Sequence, residues 1–219
     1  MDRFESFTPE ALTFLNGLMA NNTRDWFAEH KGDYEDEIKE PTRLFAEDMT
    51  GALRELTGDL HKSRIFRIHR DIRFSKDKTP YAPRIHLAFK SETDAIQPPM
   101  WFFGLSPEKL ALGCGVFQYE KGALDAFRRA MAGEDGAELI ALSDRLRAEG
   151  LRVSNPALKR VPPVYGGDHP NGEALRRKGF SAWIDIADPA FATQPDLVSR
   201  TVREFERLMP VFTLLSGLR

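Results

Sequence analysis

Between Ile65 and Tyr119 the chain carries four strand-like segments in succession, with no helical period between them. Ile65–Ile68 is the first. Arg84–Lys90 alternates Ile85, Leu87 and Phe89 with Arg84, His86 and Ala88, the two-residue period of a strand with one face buried. Met100–Leu105 follows Pro98-Pro99, and Lys109–Tyr119 follows the link Ser106-Pro107-Glu108. A link that short joins antiparallel neighbours, because a parallel crossover needs a much longer connection. One further strand, Phe180–Ile186, comes late in the chain. Strands grouped in this way argue against a βαβ alternation. They imply an α+β fold, a mainly antiparallel sheet covered by α-helices.

Helical patterns flank the strand block. Thr8-Pro9-Glu10 reads as a helix start, with Thr8 as cap and Pro9 in the first turn, and Asn21-Asn22 ends that helix. Asn22 is expected to cap the next helix, with Asp25 three residues on. That region carries Trp26, Phe27, His30, Tyr34 and Ile38 on one side, and Trp26 and Tyr34 read as core packing. Pro41 interrupts or kinks it, and Gly58 stops it. Gly122–Met131 and Glu134–Glu149 are helical. Leu158–Gly172 is a Pro/Gly-rich loop, Asn171 is expected to cap a short helix through Lys178, and Asp188-Pro189 opens the C-terminal helices. Gly104, Gly113 and Gly115, inside strands, suggest bulges or close backbone approach.

No linker or repeat divides the chain, so a single domain over residues 1–219 is expected. No apolar run reaches the ~20 residues that span a membrane, and the N-terminus has no signal-peptide core, so no membrane association and a cytoplasmic location are expected. Cys114 is the one cysteine, which excludes an internal disulfide and a thiolate metal cage. Its Gly-Cys-Gly setting in an apolar run reads as a buried, inert thiol.

The densest chemistry lies in Arg64–Lys90. Residues 61–90 hold nine Lys and Arg against two Asp, a local +7 on a chain of net charge −2, so the remainder carries −9. A basic stripe on an acidic body is a poor fit to nucleic acid and a better one to a compact anionic ligand. Arg67, Arg70 and Arg73 recur every three residues. A turn or bulge near His69-Arg70 would bring them together, with Ser75–Pro80 as the following loop. Arginine offers a planar fork of donors to phosphate or carboxylate, and Lys78 adds a point charge. Asp71 can orient an arginine, and Tyr81 can donate or accept a proton. The bland alternative is an ion-pair network with acids elsewhere.

A second basic group frames the late loop: Lys159-Arg160 at its start and Arg176-Arg177-Lys178 just after it, with Asp168-His169-Pro170 between. His169 is suited to proton transfer near neutral pH, or it braces the loop. His69, His86 and Asp71 lack any recognised metal-ligand spacing, so no metal is expected. Dinucleotide, P-loop, hydrolase-elbow and paired-CxxC signatures are absent, and the motifs name no cofactor.

The pattern Arg67-x-x-Arg70-Asp71-x-Arg73-Phe74-x-x-x-Lys78-x-x-Tyr81 resembles the signature of a mainly bacterial family, the domain of unknown function 2461. Asn22-x-Arg24-x-Trp26-Phe27, the Gly113–Gly115 strand, Leu158-Lys159-Arg160-x-Pro162, Asp168-His169-Pro170 and Lys178 extend the resemblance over nearly the whole chain. Ala82 departs from it, since many members have Lys there. The resemblance implies no substrate, but it joins the central motif and the late loop in one pattern.

Three readings follow. In the first, Arg67, Arg70, Arg73, Lys78, Lys159 and Arg160 bind a phosphate- or carboxylate-bearing small molecule. Tyr81, His169 and Asp71 are then the candidate catalytic residues, and turnover is left open. In the second, the stripe docks an acidic protein partner or a nucleic acid end without catalysis, helped by Trp101-Phe102-Phe103 if that run is exposed. In the third, the Arg–Asp motif is structural and fixes the strand-to-loop turn.

Overall fold

The computed structural model describes residues 4–219. Helix α1 (Pro9–Ala20) begins where the Thr8 hydroxyl accepts from the Ala11 N–H, as the sequence implies. Helix α2 (Arg24–Glu29) is capped by Thr23, whose hydroxyl accepts from the Trp26 N–H. The cap thus lies one residue later than expected, which frees the Asn22 amide for a tertiary role. A short α3 (Lys31–Asp33) leads into a π-helical segment, Tyr34–Lys39, in which the Glu40 N–H reaches back five residues to the Glu35 carbonyl. Pro41 follows in the first turn of α4 (Glu40–Thr57). Proline has no N–H to lose, so the helical register can change next to it at little cost. The interruption expected at Pro41 is therefore a change of helix type. Gly58, at φ 81°, ends α4.

Among the described residues six strands, β1 (His61–Ile65), β2 (Ile85–Ser91), β3 (Met100–Leu105), β4 (Leu110–Val116), β5 (Arg152–Val153) and β6 (Phe180–Ile186), form an antiparallel sheet. Their order is β1-β2-β3-β4-β6-β5. With the helices around it this is the α+β fold that the strand grouping implies. The Ser106–Lys109 link closes the β3–β4 hairpin, the Ser106 N–H meeting the Lys109 carbonyl at 3.0 Å. Strand β5 has only two residues, opposite Trp183 and Ala182, too few for an alternating pattern to reveal them.

The first strand differs from the sequence expectation: it begins at His61 and ends at Ile65. Phe66 still donates to the His86 carbonyl, but beyond this point the partner limb reaches Pro83, which has no N–H for the ladder. Pairing resumes at the His69–Tyr81 bridge. From Phe66 to His69 is three residues and from Tyr81 to His86 is five, so two extra residues bulge from the returning limb. The expected bulge near His69-Arg70 thus falls on the other side, around Pro83 and Arg84.

The remaining helices are α5 (Lys121–Met131), α6 (Glu134–Ala148), α7 (Gly172–Leu175), α8 (Leu197–Glu206) and α9 (Met209–Gly217), with 3-10 turns at Pro163–Tyr165 and Pro189–Thr193. Asn171 precedes α7 but makes no side-chain cap. Its amide donates instead to the Met131 and Gly133 carbonyls, and the helix stops at Leu175, short of Lys178.

The chain resolves into two compact units. The first takes residues 4–89, 102–112 and 185–203; the second takes 90–101, 113–184 and 204–219. Because their segments alternate along the sequence, no linker marks either one. The first unit is centred on Phe7, Phe45 and Phe103, with Phe45 and Phe103 rings 4.6 Å apart. The second holds Trp101 against Phe205 and Phe212, and Tyr119 stacked on Phe127. Trp101, Phe102 and Phe103 are all buried, so the run is core strand and offers no stacking platform. Cys114 is buried as well, and burial pushes its thiol well above the ordinary range. No helix among the described residues is long and apolar enough to cross a membrane.

Gly115 has φ 145°, and a Cβ there would stand 2.2 Å from the Phe180 carbonyl oxygen. At Gly104 the nearest atom to such a Cβ is 3.7 Å away, an ordinary contact. Gly115→Ala is therefore expected to cost about 2–4 kcal/mol in urea unfolding, and Gly104→Ala less than about 1 kcal/mol. Equal costs for the two would contradict the close approach at Gly115.

Candidate functional site

Phe27, placed by α2, stacks on Tyr81 at 4.3 Å and 15°. His69 packs edge-on against the same Tyr81 ring at 5.0 Å. Asn22 secures the backbone of Tyr81: its amide donates to the Tyr81 carbonyl (3.0 Å) and its oxygen accepts the Tyr81 N–H (3.1 Å). The two bonds imitate a strand pair. Tyr81 is only 6% exposed. Trp26 and Tyr34 are half-buried in the same aromatic group, against Phe14 and Phe27, and burial raises the Tyr34 hydroxyl.

The loop that closes at Tyr81 pairs both of its aspartates with its own arginines. Arg70 donates to Asp77 (2.5 Å), to the Thr79 carbonyl (3.1 Å) and to the Thr79 hydroxyl. The Thr79 N–H first, then Arg70 and the Thr79 hydroxyl, hold the Asp77 carboxyl down at about 2. Arg73 grips Asp71 through Nε and Nη2, and these bonds, with the Arg73 N–H, lower the Asp71 carboxyl. Lys78 donates to the Ile72 carbonyl at 3.0 Å. Arg70, Arg73 and Lys78 therefore already have acceptors within the loop. Phe74, at its tip, is 95% exposed.

Arg67 lies elsewhere, at a cleft of about 330 Å³ in the first unit. Ile38, Ile68 and Ile85 are buried beneath it. Tyr34 comes from the π-helical segment, and Phe66 stacks on His86 at 4.7 Å. Four cations line the cleft. Lys39 pairs with Glu35, and Arg43 with Glu40 and Glu47. Arg67 and Arg84 are exposed and make no ion pair among the described residues. Burial, and then the nearby charge of Arg84, lower the pKa of His86 and favour its neutral ring.

Lys159, Arg160 and His169 belong to the second unit, where they line an open depression together with Arg176. His169 Nδ1 accepts the Asn171 N–H at 3.0 Å, so a neutral ring carries its proton on Nε2. Beneath lies Arg177, fully buried, which donates to Glu173 (2.7 Å), Ser143 (3.3 Å) and the Ser154 carbonyl.

Sequence reasoning missed Arg84, Phe66 and Tyr34 as neighbours of Arg67. Phe66 and His86 are cross-strand partners, which the register shows and the motif does not. Arg176 was noted only as part of a basic run. No group of three or more His, Cys, Asp and Glu able to hold a metal ion occurs among the described residues.

A family model described as a conserved hypothetical protein, DUF2461, matches residues 10–213. No curated protein matches the chain.

Two stability predictions follow from these contacts. Asn22→Ala strands two backbone groups of Tyr81 and is expected to cost about 2 kcal/mol, against about 1 kcal/mol for the cap lost in Thr23→Ala. The reverse order in denaturant unfolding would restore Asn22 as the cap. In the second unit, burial alone would raise the Glu173 carboxyl, but its bond with Arg177 and the charges of Arg177 and Arg147 outweigh this and lower it. A lowered folded value gives stability that is present above the unfolded value of about 4.3 and drains as pH falls through the folded one. Glu173→Gln is expected to cost about 2–4 kcal/mol at pH 7 by leaving Arg177 buried without its counter-ion, moderated by the partial exposure of Glu173. It should also flatten the loss of stability below pH ~4, as followed by thermal unfolding across pH.

Proposed function

Because the chain belongs to this family of conserved hypothetical proteins, whose description names no activity, we propose from the cleft alone that the protein binds a compact small molecule with a flat apolar body and a carboxylate or phosphate group. The observation that carries the proposal is the pairing of an apolar cleft with two exposed arginines, Arg67 and Arg84, that make no ion pair among the described residues. Ile38, Ile68 and Phe66 suit the apolar body. The guanidinium forks suit the oxyanion, since a charge-assisted bond to each replaces a water-facing donor. The π-helical turn at Tyr34–Lys39 supports the same location, because such turns recur at functional sites. In this reading Arg70, Asp71, Arg73, Asp77 and Lys78 shape the loop and do not touch the ligand, and Tyr81 anchors its base.

A second reading, docking of an acidic protein partner, is favoured by Phe74, bare between Arg73 and Lys76 at the loop tip. Calorimetric titration with phenyl phosphate, benzoate and neutral benzamide distinguishes the two. The two anions are expected to bind and benzamide to bind far more weakly. Arg67→Ala and Arg84→Ala should each weaken the anions about 10-fold or more, while Phe74→Ala leaves them unchanged. Benzamide binding as tightly as benzoate, or anion binding that survives both arginine substitutions, would overturn the proposal. Loss of binding in Phe74→Ala alone would favour the loop.

A further inference from the structure

The late loop of the second unit is organised around a fixed frame. The Leu158 N–H meets the Arg176 carbonyl (2.9 Å), and the Gly172 N–H meets the His169 carbonyl (2.9 Å). The Asn171 amide, 9% exposed, spans the Met131 and Gly133 carbonyls. Arg177 ties Glu173 to Ser143 and to the Ser154 carbonyl from below, with its guanidinium 5.1 Å from the Phe180 ring centre. Above this frame opens the depression of about 610 Å³ lined by Lys159, Arg160, His169, Glu173 and Arg176.

Its charge is unbalanced. Glu173 is the one carboxylate in the lining, and it is already shared by Arg177 (2.7 Å) and Arg147 (3.4 Å). Lys159, Arg160 and Arg176 make no ion pair among the described residues. Among the described residues Arg176 donates from its Nε alone, to the Gly172 carbonyl at 3.3 Å. Three cationic heads thus line one depression with no acid of their own, beside a histidine whose Nδ1 is occupied and whose neutral form has its N–H on Nε2. Such a set offers point charge, guanidinium forks and one neutral donor. A tetrahedral dianion, with several acceptor oxygens and close to two charges near neutral pH, matches it better than a single carboxylate does. The cleft at Arg67 differs in kind, since its interior is apolar.

We propose that Lys159, Arg160, Arg176 and His169 form a second, independent anion site that binds a phosphate group, free or carried as a monoester. The buried Arg177–Glu173 pair and the Asn171 bridge act as positioning residues that hold the loop open before the anion arrives, which lowers the ordering cost of binding. Bound phosphate takes its bonds from the arginine forks and from His169 Nε2, and Lys159 contributes a flexible ammonium.

The test is calorimetric titration of the full chain with inorganic phosphate and with glycerol 2-phosphate at about 0.15 M chloride, where diffuse surface attraction is screened. Binding is expected in wild type and in Arg67→Ala, and about 10- to 100-fold weaker in Arg160→Ala and Arg176→Ala. Retention in Arg67→Ala separates this site from the cleft, so either proposal can fail alone. Tighter binding of glycerol 2-phosphate than of phosphate identifies a monoester site, and the reverse identifies free phosphate. Nitrogen-15 NMR of His169 is expected to show the Nε2–H tautomer with and without phosphate, and its Nε2 signal to move on titration. Absence of binding to either probe, affinity unchanged in both arginine variants of the late loop, or a His169 signal indifferent to phosphate would overturn the proposal. Thermal unfolding of each variant checks that it folds. Arg176→Lys, which keeps the charge and loses the fork, is expected to recover only part of the affinity.

Discussion

The first unit turns on one side-chain amide. Asn22 meets both backbone groups of Tyr81, and Phe27, five residues later, covers the ring. Asn22 and Tyr81, 59 positions apart in sequence, are joined by two hydrogen bonds, and Phe27 adds the stack. Neither contact is large alone: a net hydrogen bond contributes about 1 kcal/mol and an aromatic pair about as much. Their effect is positional. They hold Tyr81, at the base where the 70–80 loop re-enters the structure, against α2. The Asn22-x-Arg24-x-Trp26-Phe27 segment and the arginine motif behave as two halves of one clasp.

Charge is then divided by partner. Arg70 and Arg73 have aspartates two to seven residues away, so the loop pairs these two arginines as it folds, and the exposed pair at Arg73–Asp71 contributes little to stability. Arg67 and Arg84 also have aspartates within seven residues, Asp71 and Asp77, but those carboxylates bond to Arg73 and Arg70, and neither Arg67 nor Arg84 makes an ion pair among the described residues. The same contrast recurs in the second unit. Arg177 is buried on Glu173, while Arg176, its neighbour in sequence, stays at the surface with Lys159 and Arg160. In both places arginines that are close in sequence have different work: one braces the backbone and the other faces solvent.

Proline and π-helical geometry supply the remaining shape. Pro83 ends the β1–β2 ladder and forces the bulge that carries Arg84. Pro41 tolerates the register change that turns Tyr34 and Ile38 toward the cleft. These are backbone constraints, set by a missing N–H, with a consequence for binding.

The sequence by itself determined the fold class, through the unbroken block of strand patterns, and most element ends, through local signals: Thr8 and Pro9, Gly58, and the Ser106-Pro107-Glu108 link. It also determined where the ionic chemistry is concentrated. Each of these depends on residues close in the chain, where spacing and backbone preference decide. Only the tertiary structure decided that Thr23 caps α2 while Asn22 holds Tyr81, that β1 ends at Ile65, that Trp101–Phe103 is wholly buried, and that Arg67 and Arg84 flank a cleft while Arg70 and Arg73 are matched within their loop. Those outcomes depend on partners distant in sequence and on which limb of a hairpin takes up extra residues. A chain read one residue at a time carries no term for either.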